Sequence, residues 1–236
     1  MEFTDHKVPF RSEDFIAEIA MKCWHIGTVP GSKQVDLKVI LTELEAHGVE
    51  SLIQIRGMKP KGRLCIEIID DDAGKYPAYV TFSPRLTLHV KRTVWTRFQQ
   101  GYSEERVIIA HEIGHILLHS DDAKPFLRDP SLQIQFAENE DSAEGQANLL
   151  ADHLLIPNHI GQSILEPARL AFVCNVPDRF AFERLDSIGC IKERLSVIVD
   201  CEPCPTCGDF AVTTEGGRKK CKSCERRRAH HDRSDQ

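Results

Sequence analysis

The sequence predicts an α+β fold, mostly helical with a small antiparallel sheet, followed by a small separate C-terminal module. Three observations predict it. Apolar residues recur at helical spacing near both ends of the first 155 residues. Short apolar and alternating runs with strand character occupy the stretch between them. Residues 201–236 then change composition, with five of the nine cysteines and eight Lys and Arg against six Asp and Glu.

Composition narrows the classes further. Of the 236 residues, 41% are hydrophobic and 28% charged, enough for a packed core and unlike a disordered chain. The net charge is −6, and the deficit lies in the first 200 residues, which argues against a general nucleic-acid binder. No apolar run nears the ~20 residues that cross a bilayer. Residues 1–20 carry Asp5, Glu13, Asp14 and Glu18 and no apolar stretch of signal-peptide type, so a cytoplasmic location and no membrane partner are expected. Cysteines in such a chain are more readily metal ligands than a disulfide framework.

The elements follow in order. Ser12 caps a helix to Trp24, with Phe15, Ile16, Ile19, Ala20 and Cys23 on one face. A turn at 28–32 leads to a helix from Asp36 to His47, closed by Gly48. Strands are expected at Val49–Arg56, Leu64–Ile69, Tyr79–Phe82 and Leu86–Val94. Ser103 caps a helix running to His119. Residues 121–139 read as a loop or lid, and a helix spans Ser142–Leu155, stopped before Pro157. Glu183–Val199 reads as a helix, or a helix and a strand. The expected divisions are an N-terminal helical segment (1–35), a main domain (36–160), a helical extension (161–200), the cysteine-rich module (201–228) and a flexible tail (229–236).

The helix after Ser103 carries His111-Glu112-Ile113-Gly114-His115, the pattern H-E-x-x-H. Residues four apart project from one helical face, so both imidazoles can bind one Zn²⁺. Glu112, one position along, is placed as general base toward the attacking water. The surrounding residues, Val107–Ala110 and Ile116–Leu118, are uncharged. Polar groups on so apolar a helix call for a partner.

A catalytic zinc site takes a third protein ligand. Glu144, at the start of the next strong helix, is the better candidate, with Glu138 and Glu140 competing. Asp141-Ser142-Ala143-Glu144 also has the form of a capping box, in which Glu144 would cap its own helix. Asn148 lies four residues on and can hydrogen-bond a ligand imidazole from behind; Asp152 is a second such candidate. His119 is read as a helix-end residue beside the C-terminal dipole. Tyr76, Tyr79, Tyr102, His153 and His159 stand as possible oxyanion donors.

His111-Glu-Ile-Gly-His115 followed by Glu144-Gly-Gln-Ala-Asn148-Leu-Leu-Ala-Asp-His-Leu-Leu-Ile-Pro157 resembles the ImmA/IrrE family of zinc metallopeptidases. That family pairs H-E-[LF]-G-H with E-x-x-A-N-x-x-A-x-x-L-L-x-P. The resemblance covers roughly residues 36–157. It implies a helical zincin-like metallopeptidase domain, with Glu144 as third zinc ligand beside His111 and His115. It also implies a protein substrate, typically a helix-turn-helix transcriptional repressor. Gly145 and Leu149-Leu150 depart from the pattern without touching a ligand.

The C-terminal module has its own metal pattern. Cys204, Cys207, Cys221 and Cys224 form C-x₂-C…C-x₂-C with 13 residues between the pairs. Four thiolates complete a tetrahedral structural zinc, and the intervening segment suits one hairpin, as in a zinc ribbon. So short a segment has no adequate core without the ion. Seven basic residues between Arg218 and Arg228 could meet nucleic-acid phosphate or an acidic partner, or only keep the module soluble. Two zinc ions are therefore expected, one catalytic and one structural. The leading expectation is a zinc-dependent endopeptidase acting on a regulatory protein. The alternatives are a non-cleaving module that grips a repressor or antitoxin, and a nucleic-acid-associated zinc-ribbon protein.

Overall fold

Ser12, extended at φ −63° and ψ 151°, opens α1 (Glu13–Gly27), and its side chain accepts a hydrogen bond from the Phe15 amide. Ile16, Ile19, Ala20 and Cys23 form the buried stripe, each large apolar side chain worth roughly 1.5–3 kcal/mol of burial. Asp36 caps α2 (Leu37–His47) by accepting from the Lys38 amide. Gly48 ends it at φ 84°, a conformation open to glycine, and donates its N–H to the Leu44 carbonyl. These observations come from a computed structural model, which describes residues 8–53, 62–119 and 142–189 and the strands 212–215 and 218–221.

Where a strand was expected from Val49, a 3₁₀ turn follows instead (Val49–Ser51). Gly48 has just reversed the chain, and the amides of Leu52 and Ile53 bond back to Val49 rather than to a neighbouring strand. Residues 54–61 of that expected strand lie outside the described residues. Three strands do form: β1 (Cys65–Ile69), β2 (Ala78–Thr81) and β3 (Thr87–Lys91). Their order is β1-β3-β2. β2 and β3 pair antiparallel with Val80 opposite Leu88, whereas β1 and β3 run parallel with Ile66 opposite Leu88. The sheet is thus mixed rather than purely antiparallel, because β3 enters between its two predecessors. Leu88 and Val90 face the core.

The strand expected to reach Val94 stops at Lys91, and α3 (Arg92–Gln99) takes over, burying Phe98. α4 (Ser103–Leu118) starts at Ser103, with Tyr102 rather than Ser103 in the capping position. Arg106 in its first turn is buried and donates to two carbonyls, those of Val35 and Asn175, at 3.0 Å each. These bonds tie the α1–α2 connection and the later helices to α4. Ser142 caps α5 (Ala143–Leu155) and accepts from the Gly145 amide at 2.8 Å. α6 (Asn158–Ser163), α7 (Pro167–Cys174) and α8 (Asp178–Ser187) follow.

α5 is the centre of the packing, with α4 against it on one side and α1 on another. The chain divides into two units, Met1–Arg184 and Leu185–Gln236. In the second, β4 (Val212–Glu215) and β5 (Arg218–Cys221) pair as an antiparallel hairpin with Val212 opposite Cys221. Cys204, Cys207 and Cys224 lie outside the described residues. None of the described helices is long and apolar enough to cross a membrane.

Candidate metal centre

α4 is apolar on nearly all sides, with Ile109, Ile113, Ile116 and Leu117 fully buried. On that helix the i, i+4 spacing brings the Nε2 atoms of His111 and His115 to 3.0 Å, their rings edge to face at 4.7 Å. Glu144 arrives from the first turn of α5. Its Oε2 lies 3.2 Å from His111 Nε2 and its Oε1 3.4 Å from His115 Nε2. Because Ser142 supplies the side-chain cap of α5, Glu144 reaches the histidines. Among the described residues, these three form the one group whose donor atoms all lie within 4.8 Å of one another. Glu138 and Glu140 lie outside the described residues.

Close approach of α4 and α5 makes this possible. A Cβ on Gly114 would stand 2.8 Å from both the Cα and the carbonyl oxygen of Ala147. Only glycine lets the two backbones meet there, three residues from His111 and three from Glu144 on the respective helices.

The bonds behind the donors decide which nitrogens face the centre. His111 Nδ1 lies 2.8 Å from Asn148 Oδ1. An amide oxygen only accepts, so His111 carries its proton on Nδ1 and turns the Nε2 lone pair inward. His115 Nδ1 lies 3.0 Å from Nδ1 of His119, a buried residue whose Nε2 is 3.3 Å from Gln146 Oε1. His119 therefore does more than sit at a helix end. Asp152, the other expected partner of a ligand histidine, bonds neither; it lies in the field of Arg184, Glu183 and Glu13.

The electrostatics fit a cation. Burial alone would raise the Glu144 carboxyl, but when His111 and His115 take up a second proton, on Nε2, their hydrogen bonds and charge outweigh it and hold the group well below the usual carboxylate range. Burial disfavours charge on His111 as well, yet Glu144 and Glu112 together raise its affinity for a proton. Two imidazole lone pairs and two carboxylate oxygens crowded this closely repel one another unless something positive lies between them. Two imidazoles and a carboxylate are a donor set that suits zinc. Glu112 is buried beside them, and its pKa is raised by that burial and by Glu144, against the pull of His111 and His115.

Four of the other suggested donors, His153, Tyr79, Tyr102 and His159, have partners elsewhere. His153 is buried between Glu13 and Arg184, with its Nε2 3.0 Å from Glu13 Oε1 and its Nδ1 2.9 Å from an Arg184 nitrogen. Tyr79 stacks on His89, Tyr102 lies under the Arg97 guanidinium, and His159 meets Trp24 edge to face.

No curated protein and no solved structure was found to match the chain. Residues 80–169, from β2 into α7 and including every residue of the centre, match the family model of the IrrE N-terminal-like domain of the peptidase M78 family, so this part of the chain is similar to a metallopeptidase domain of the ImmA/IrrE kind.

Proposed function

We propose that the protein is a zinc-dependent endopeptidase, with His111, His115 and Glu144 as zinc ligands and Glu112 as the catalytic base. The observation that carries the reading is the convergence of two Nε2 atoms and both Glu144 oxygens, with the buried Glu112 beside them. A structural zinc site needs no such additional carboxylate. The zinc ion, when bound there, supplies a Lewis acid that polarises the scissile carbonyl and acidifies water. Glu112 accepts the proton of the attacking water on its carboxylate. It then passes that proton to the amine nitrogen of the departing peptide. The departing amine is far more basic than any carboxylate, so the proton passes on to it in the second half of the exchange.

The substrate in this reading is a regulatory protein, a helix-turn-helix transcriptional repressor, as the resemblance to ImmA/IrrE peptidases implies. The C-terminal hairpin, with Cys204, Cys207, Cys221 and Cys224 around a second, structural zinc, serves as a docking module, and its basic residues are available to an acidic partner or nucleic acid. The β4–β5 hairpin supports that reading of residues 201–228. The cytoplasm is the expected location.

The decisive variant is Glu112→Gln. It should keep the fold and the full zinc content while cleavage of the repressor falls by about 10²–10⁴-fold, the range of a positioned general base. Retained cleavage would overturn the mechanism. A wild-type chain that binds the repressor without ever cutting it would favour the gripping module.

A further inference from the structure

The bonds behind His115 run in one direction, and their origin is a backbone carbonyl. Gln146 is fully buried and donates from its Nε2 to the Pro9 carbonyl at 2.9 Å. A carbonyl has no proton to give, so the amide can be turned only one way, with Oε1 facing His119. Oε1 is an acceptor, which makes His119 Nε2, at 3.3 Å, the donor. In neutral His119 the other nitrogen, Nδ1, is then an acceptor, and it faces His115 Nδ1 at 3.0 Å. His115 must carry its proton on Nδ1. Its Nε2 is left with a bare lone pair, aimed at Glu144 and His111.

We infer that His119 and Gln146 are positioning residues that fix His115 in the tautomer able to bind a metal, and that the N-terminal segment at Pro9 sets their order. The inference deepens the proposed zinc site and rests on that reading for its consequence in affinity. Nothing in the H-E-x-x-H pattern demands this set of bonds. It depends on His119 one turn beyond the motif, on Gln146 two residues beyond Glu144, and on a segment more than 100 residues upstream. A second bond holds that segment at the same end of α4: Arg11 donates from Nη2 to the Leu118 carbonyl at 3.2 Å. Val8 is buried beside Pro9 in sequence, so the carbonyl is anchored on both sides.

The arrangement can be read directly in the full-length, metal-free protein at pH 8 or above, by long-range proton–nitrogen NMR correlations of the imidazole rings. The expected result is a proton on Nδ1 of His115 and on Nε2 of His119. The reverse tautomer at either ring would overturn the inference, whatever the protein does with zinc. The consequence is tested by zinc titration against a chromophoric chelator. His119→Leu should weaken zinc binding about 10–100-fold, the usual cost of losing such a partner. Gln146→Leu should act in the same direction, because His119 is then free to flip its proton toward His115. His119→Gln should restore binding to within a few-fold, since its amide can accept from His115 and donate to Gln146. Cobalt substitution adds a readout that packing would not move: the visible band should shift in His119→Leu and return in His119→Gln. Equal affinity and unchanged bands in all variants would sink the inference while leaving the peptidase reading intact. A wild-type chain that binds no zinc, with the tautomers as expected, would sink the peptidase reading alone.

Discussion

Two carboxyl groups on α5 illustrate how the residue scale separates a candidate metal donor from a neighbour that merely resembles one. Glu144 and Asp152 lie on the same helix, two turns apart, and both were expected near the histidines. Glu144 meets two imidazoles and is held well below the usual carboxylate range. Asp152 meets none; burial pushes it up to about 6, partly offset by Arg184 and reinforced by Glu183 and Glu13. Its folded-state pKa is thus above the unfolded value of 3.8. The stability it contributes is fully present below about pH 4 and is lost as pH rises through 6. Asp152→Asn should therefore gain stability relative to wild type between pH 4.5 and 7.5, by up to about 3 kcal/mol in urea unfolding. A difference that does not change with pH would show that burial does not raise this carboxyl.

At the scale of elements, the two helices that carry the donors are set by glycine contact as much as by their apolar faces. Gly114→Val should cost about 1–3 kcal/mol in thermal or denaturant unfolding, because its Cβ would meet backbone atoms of Ala147 that have no rotamer to yield. The same substitution should weaken zinc binding, since it parts Glu144 from His111 and His115. A variant with unchanged stability and affinity would contradict the close approach. α1, α2 and α5 were legible in advance because each has a side-chain cap and an apolar face, and α4 because of its long uncharged run around the histidines. α3 was not. Val94 and Trp95 are good strand formers in a short segment, whereas the helix Arg92–Gln99 is the arrangement that buries Phe98. The 3₁₀ turn after Gly48 was missed for a similar reason, as Val49 and Ile53 look like strand residues while the hydrogen bonds are local. Parallel pairing of β1 with β3 is a non-local choice that no strand pattern encodes.

At the scale of the molecule, the histidine pair was legible because its spacing is local to one helix, and Glu144 because a motif in a second helix pointed to it. The bonds through His119, Gln146 and Pro9 were not legible, since they join three distant stretches of chain and only packing brings them together. The proposed two-metal organisation makes its own prediction. Removing residues 201–236 from the full chain should lower the zinc content from two ions to one by mass spectrometry under native conditions, with the centre on α4 and α5 retained. Loss of both ions, or of neither, would contradict independent sites.

His115 and Glu144 stand 29 positions apart along the chain, yet their side chains nearly touch. An ion shared between them acts as a reversible cross-link that closes this long stretch, much as a sulfur bridge would, but one whose strength follows supply. Above the dissociation constant, each tenfold increase in free zinc should add about 1.4 kcal/mol to unfolding free energy. The melting temperature of the protein should rise stepwise along a series of zinc buffers and fall back on chelation, so that its durability reports the metal available to it.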